Sequence, residues 1–158
     1  MAESIMTADP VESIRCEIMR RVVSAGIFDL DKIQRENASA PEAQEYCRLT
    51  IPQGAEFIAD SQTLQSKTII AELDVMVPIL EGTQRSGQLA TQIESVFGLF
   101  DRDPQKRAIS MSGWTGAGAT ITRFSRGAAS AEPEKNLFYL PVLLYIRLVL
   151  EAGARYEP

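Results

Sequence analysis

Two long stretches of alternating apolar residues constrain the fold of this chain most. Residues 68–79 carry an apolar side chain at every second position, with Glu72 and Asp74 between them. Residues 137–151 show the same alternation. Because successive side chains of a β-strand point to opposite faces of a sheet, both stretches predict long strands with one buried face. The two carboxylates predict that the other face of the first strand is at least partly solvated, and Pro141 predicts an edge position or a bulge in the second.

Two other segments repeat their apolar residues at helical spacing. The first begins with Asp9 as a capping residue and Pro10 at the first helical position, and it ends before Gly26. The second begins with Ser86 as its predicted cap, and its apolar repeat extends to Phe100. Each segment therefore predicts an amphipathic helix that packs on another element. Four charged residues are expected on the solvated face of the first helix: Arg15, Glu17, Arg20 and Arg21.

Shorter alternating segments complete the predicted sheet. "KIQREN", "YCRLTIP", "RAISMS" and "ATITRFSR" are read as further strands, and residues 53–66 as a long loop or an extended hairpin. The sequence thus predicts an α+β fold with a mostly antiparallel or mixed sheet and two helices packed on one face. We expect a single compact domain over residues 1–158, with an N-terminal extension at 1–9 and a C-terminal tail at 152–158.

The glycine-rich stretch "GWTGAGAT", residues 113–120, superficially resembles a phosphate-binding loop. Such a loop leads from a strand into a helix and, in its commonest form, carries Lys beside Ser or Thr. Here no Lys is present and the following "ITRFSR" alternates like a strand. The stretch is therefore predicted to be a hairpin connection between antiparallel strands, and no nucleotide cofactor is expected.

Composition argues against several classes of function. The net charge is −5 and the longest basic runs are pairs, which disfavours sequence-reading DNA binding. No His is present and only Cys16 and Cys47 could supply thiolates, so no metal is expected and the cysteines are predicted to be reduced rather than disulfide-bonded. No secretory signal or membrane span is recognisable, which predicts synthesis in a cytosol. Glu72 and Asp74 are the one candidate acid/base pair, and a solvated or interface face is the favoured explanation for them.

The order of the segments resembles the tail-terminator-like neck proteins of long-tailed bacteriophages. In that family a Glu-Asn follows the first helix, an Arg-bearing strand ends in a Pro, and a glycine-containing turn opens the second helix. The matching residues are Glu36-Asn37, Arg48, Pro52, and Gly82 or Gly87, and the resemblance covers residues 11–151. The chain departs from the family after the Glu-Asn pair, where an aromatic with a proline is usual and "ENASAPEAQEY" supplies only the proline nearby.

The resemblance implies a structural virion protein without catalytic residues, made in the host bacterium and located in the neck. Tail terminators form a ring, expected to be a hexamer, that caps the tail tube, stops its growth and joins a head-completion or connector protein. Genome DNA passes through the lumen, where an acidic surface repels phosphate. The alternatives are a head–tail connector or adaptor, a tail-tube protein and, more remotely, a small hydrolase using Glu72 and Asp74.

Six residues are predicted to take part in contacts with a neighbouring subunit or the tube. Phe57, Ile58 and Trp114 are large apolar residues expected in loops, where burial against a partner would stabilise an interface. The alternative is that these loops fold back onto their own core. The other three residues are charged. Arg48 lies on the predicted strand "YCRLTIP", and Glu72 and Asp74 lie on the predicted strand at residues 68–79.

Overall fold

One mixed sheet organises the residues that the computed structural model describes, which are 9–36, 38–41, 44–52, 58–59 and 64–157. The strands are β1 Ile33–Gln34, β2 Tyr46–Thr50, β3 Ile58–Ala59, β4 Leu64–Pro78, β5 Ala108–Ile109, β6 Trp114–Arg126, β7 Ser130–Glu132 and β8 Leu137–Tyr156. The helices are α1 Pro10–Ser24, α2 Gly82–Val96 and the single turn α3 Pro104–Arg107, with 3₁₀ turns at Leu30–Lys32 and Pro133–Lys135. The predicted α+β class, with two main helices on one face of a mixed sheet, is confirmed; α3 is additional.

The sheet has the strand order β1-β2-β4-β8-β6-β5, with β3 paired to β4 and β7 paired to β8. Only the β1–β2 pair is parallel among the described strands. At the centre, β4 and β8 are antiparallel partners from Leu64–Glu151 to Pro78–Leu137. Strand β3 pairs antiparallel with residues 65–66 of β4, so the described part of the segment predicted as a loop or an extended hairpin is paired strand.

The apolar faces of both long helices and of the central strands meet in one core. These side chains are almost fully buried: Ile14, Ile18, Leu89, Ile93, Leu73, Val75, Leu144 and Ile146. The packing predicted from the two periodicities, helices on the alternating faces of residues 69–79 and 140–150, is therefore confirmed. Each such side chain contributes roughly 1.5–3 kcal/mol on burial.

Helix α1 begins where the sequence predicts, since the Asp9 carboxylate accepts a hydrogen bond from the amide of Val11 at 2.9 Å. The prediction that Arg15 and Glu17 face solvent is wrong. Arg15 is 5% exposed and binds the carboxylates of Glu12 on the same helix and Glu36 beyond it, while Glu17 is 7% exposed and is held by Arg20 at 2.6 Å. Partners on and beyond the helix make the burial of these charges possible.

The start of helix α2 differs from the prediction. The helix begins at Gly82, and Ser86 is a buried residue inside it whose hydroxyl donates to the carbonyl of Gly82 at 2.8 Å. A serine that bonds the carbonyl four residues earlier is compatible with a helix interior, so Ser86 is not a cap. Phe100, predicted on the buried stripe, lies beyond the end of the helix at Val96 and is 60% exposed.

The glycine-rich stretch is mostly strand rather than turn, which corrects the hairpin assignment in part. The reversal between β5 and β6 falls at Ser112 and Gly113, and β6 already begins at Trp114. Gly116 adopts a φ of +75° where the β6–β8 register shifts, the conformation that a β-bulge favours in glycine. A strand and not a helix follows Gly118, as the sequence predicts.

The last strand is longer and more central than predicted. β8 lies between β4 and β6 and continues to Tyr156, so residues 152–156 of the predicted tail are strand. Pro141 is therefore not on an edge strand. It lies where the β7 pairing, which ends at Tyr139, gives way to the β6 pairing, which begins at Val142. The amide of Gly127 donates to the Pro141 carbonyl at this junction.

Both cysteines are free thiols, as predicted. Cys16 is exposed on α1, whereas Cys47 is fully buried on β2, where burial and then the charge of Asp74 raise the pKa of its thiol. Among the described helices, none combines the length and apolar character that crossing a membrane requires.

Candidate functional site

Three of the six predicted contact residues form one cluster, on the sheet face opposite the long helices. Strands β2 and β4 place Arg48 directly opposite Asp74, and Glu72 is the next residue on the same face of β4. The alternation of β4 sends its odd-numbered side chains to the core and these carboxyl groups to the other face. We call Arg48, Glu72 and Asp74 the carboxylate cluster.

Asp74 is held by Arg48 through a single oxygen. The Nε and one terminal nitrogen of Arg48 donate to Oδ2 of Asp74 at 3.0 and 2.8 Å. The guanidinium also lies 5.8 Å from the ring centroid of Tyr139 on β8. Asp74 is only 1% exposed, so the expectation of a partly wet face fails at this residue. Its charge is tolerated because the arginine compensates it.

The second oxygen of Asp74, Oδ1, is buried and accepts no hydrogen bond from an Arg, Lys or backbone donor. Glu72 is the neighbouring carboxyl group on the same face of β4. Two carboxyl groups form a hydrogen bond only when one of them carries a proton. The hydrogen bond to Asp74, burial and the negative charge of Asp74 together raise the pKa of Glu72 to about 7, against a smaller lowering by Arg48. Glu72 therefore carries this proton below neutral pH.

The geometry limits what this pair can do as a glycosidase. Glycosidases that use two carboxyl groups separate them by about 5 Å or more so that a sugar or water fits between them. Here the hydrogen bond that raises the pKa of Glu72 brings the two carboxyl groups closer than that, and the Asp74 side chain is only 2% exposed. The cluster is arranged to share a proton within the sheet. Over the described parts of the chain, no three Asp, Glu or Cys side chains are grouped so as to hold a metal.

Trp114 lies elsewhere and makes contacts within its own chain. It is half-buried at the start of β6, its indole N–H donates to the Ser13 hydroxyl at 3.1 Å, and its ring lies 5.7 Å from that of Tyr156. The placement of Trp114 in a loop is therefore wrong. Phe57 lies outside the described residues, and for Ile58 the structure gives the backbone pairing with Ser66.

Sequence reasoning missed a charged connection between the first helix and β2. Arg15 of α1 binds the carboxylate of Glu36 at 2.7 Å, and the same carboxylate accepts a hydrogen bond from the amide of Ile51. Glu36 belongs to the Glu-Asn pair of the resemblance, but its partners are 21 and 15 residues away in sequence, and no local pattern points to them.

A second missed feature is Leu80, which is 97% exposed. It lies in the turn between β4 and α2, directly after Ile79. The signal was present in "PIL", where an apolar residue follows the last apolar position of the alternating strand.

No protein-family profile matches the chain, and no curated protein sequence matches it significantly.

Proposed function

We propose that this chain is a structural subunit in the neck of a long-tailed bacteriophage, of the tail-terminator kind. In this proposal, copies of the chain form a ring, expected to be a hexamer, on the last ring of the tail tube. The ring stops tube growth and offers its outer surface to a head-completion or connector protein. DNA passes through the lumen without being read.

The observation that carries the proposal is the set of contacts around Glu36. The resemblance consists of pieces in a fixed order, and Glu36 connects two of them in space. It binds Arg15 of the first helix and the amide of Ile51, which immediately precedes Pro52 at the end of the Arg48-bearing strand. Glu36 thus ties the helix to the end of the strand that precedes Pro52.

The helices cover only one face of the sheet, which leaves surface on the other face for contacts with other subunits. Both long helices cover the same face of the sheet, and β4 and β8 expose part of the other, where Ile70 is 38% exposed. The net charge of −5 suits a protein beside a DNA channel, because a negative wall repels phosphate and limits sticking.

Deletion of the gene from the genome that encodes it tests the proposal. Electron microscopy is expected to show tails of uncontrolled length without heads, and a copy of the gene supplied in trans is expected to restore virions. Infectious particles of normal appearance in the deletion strain would overturn the proposal.

The same micrographs separate the alternatives. Loss of a connector or adaptor leaves full heads beside tails of normal length, whereas loss of a tube protein leaves no tails. The hydrolase alternative is favoured by one observation, the raised pKa of Glu72 beside Asp74. It predicts that Glu72→Gln abolishes function in the host, whereas the structural proposal predicts normal tails with that variant.

A further inference from the structure

Leu80 is held in an exposed position by the backbone around it. The amide of Ile79 donates to the carbonyl of Asn136 at 3.2 Å, and the amide of Glu81 donates to the carbonyl of Pro78 at 3.0 Å. These bonds fix both sides of the turn and leave the Leu80 side chain 97% exposed. Burying a leucine is favourable by roughly 1.5–3 kcal/mol, so this side chain would gain from any apolar surface that it can reach.

An apolar groove lies beside this turn. It has a volume of about 430 Å³, and its walls include Pro41, Tyr46, Pro78 and Leu137 together with the polar residues Gln44, Lys135 and Asn136. Its size falls within the range of sites that take an apolar side chain or small ligand. Because Leu80 is almost fully exposed, it does not fill the groove of its own chain.

One exposed carboxylate lies beside Leu80, and one exposed lysine lines the groove. Glu81 follows Leu80 and is exposed, whereas the Lys135 side chain at the groove is 61% exposed and has Glu132 as a partner at 3.4 Å. A second copy that presents Leu80 to the groove brings its Glu81 close to Lys135. Such complementarity favours this occupant over a partner with a basic flank.

We propose that Leu80 of one copy inserts into the groove formed by Pro41, Tyr46, Pro78 and Leu137 of a second copy, with Glu81 of the first facing Lys135 of the second. Because Leu80 lies two residues from Pro78 in the groove wall, the two copies can make this contact reciprocally, about a two-fold axis. The inference goes beyond the proposed function, because it assigns residues to a contact between two copies that does not depend on the ring.

The first test compares Leu80→Asp with Leu30→Asp by sedimentation velocity over a concentration series. Leu30 is a matched control, since it is also an exposed leucine, at 62%, in the 3₁₀ turn after α1. We expect Leu80→Asp to weaken self-association at least tenfold and Leu30→Asp to leave it within twofold. Both residues are exposed, so melting temperatures near that of the parent verify that the variants are folded.

The second test exchanges the charges. Glu81→Lys and Lys135→Glu are each expected to weaken self-association about threefold to tenfold, and the double variant is expected to recover most of the loss. A parent that stays monomeric to millimolar concentration, equal effects of the two leucine variants, or a double variant no better than the single ones would each overturn the inference. Such results leave the deletion phenotype unaffected, so a failure here is distinguishable from a failure of the proposed function.

Discussion

Arg48 binds Asp74 with two nitrogens on one carboxylate oxygen, across the β2–β4 pair in which the two residues are directly opposite. Asp74 is almost completely buried, whereas the Arg48 side chain is 34% exposed. One oxygen of the buried carboxylate is thus compensated by a partly solvated cation. Glu72 lies next to the same carboxyl group on the same face of β4. The environment of Asp74 is therefore set by two neighbours, Arg48 on β2 and Glu72 on its own strand.

Removing the arginine is expected to destabilise the fold. Arg48→Met keeps much of the side-chain volume but leaves the Asp74 charge buried without its cation, which typically lowers the free energy of unfolding by about 3 kcal/mol. Urea denaturation measures the loss. Arg123→Met is the control, because Arg123 is exposed on β6 and lies 5.0 Å from the Tyr145 ring, a contact worth less than about 1 kcal/mol. Equal losses in the two variants would contradict the role given to Arg48.

The shared proton predicts how stability depends on pH. The pKa of Glu72 is raised from 4.5 to about 7 in the folded chain, first by the hydrogen bond to Asp74. A raised pKa means that the contribution of this group is complete below pH 4.5 and is lost as pH rises through 7. Glu72→Gln imitates the protonated state at every pH. We expect this variant to match the parent near pH 5 and to melt at a higher temperature than the parent near pH 8.

The charged groups around Glu72 define the control for that measurement. Asp74 lies on its own strand, Arg48 on β2, and β8 places uncharged Leu143 opposite it. Glu151 is an exposed carboxyl group on the far end of β8. Glu151→Gln is expected to retain the parent's decline in melting temperature between pH 5 and 8. If Glu72→Gln shows that same decline, the proton is not shared as described.

Glu36 is predicted to stabilise the connection between α1 and β2. Glu36→Ala removes the acceptor for the Ile51 amide and one partner of buried Arg15, which is expected to lower the free energy of unfolding by about 2 kcal/mol. Arg15 keeps Glu12 as a second partner, so the loss is partial. Glu157→Ala removes an exposed pair with Arg155 and is expected to change stability by less than about 0.5 kcal/mol. Similar losses in both variants would refute the assignment.

Alternation and helical spacing were sufficient to predict the class of the fold and which apolar faces form its core. They depend only on the direction of successive side chains, a local property of the backbone. The burial of Arg15 was not predictable in this way, since it depends on a carboxylate 21 residues away. The role of Ser86 depended on where the chain turned into the helix, and that is set by the hydrogen-bonded turn at 78–81.

The carboxylate cluster was predictable only in part. Alternation places Glu72 and Asp74 on one face of β4, and it places Arg48 on the outward face of β2. It does not set the register between the strands, which decides that Arg48 stands opposite Asp74 and not beside another residue. The proton shared by the two carboxyl groups follows from that register and from the burial of Asp74, so no sequence pattern reveals it.

Trp114 either stabilises its own subunit or contacts a neighbouring one, and substitutions at this residue have different consequences in the two cases. It is the only tryptophan in the chain, half-buried between Ser13 and Tyr156, and a Cβ on the preceding Gly113 would come within 2.6 Å of the Tyr156 ring. The bond to Ser13 and the ring contact with Tyr156 indicate that the indole stabilises its own subunit. Trp114→Phe keeps an aromatic ring and loses the bond to the Ser13 hydroxyl, so the free energy of unfolding is expected to fall by about 1 kcal/mol. Trp114→Ala is expected to lower it by about 3 kcal/mol.

Ser13→Ala is the matched variant, and combining it with Trp114→Phe is expected to add little, because both remove the same bond. If Trp114 instead contacts a neighbouring subunit, Trp114→Phe leaves the melting temperature of the monomer unchanged and weakens self-association in sedimentation velocity. Chemical denaturation and sedimentation of the same preparations thus decide between the two roles.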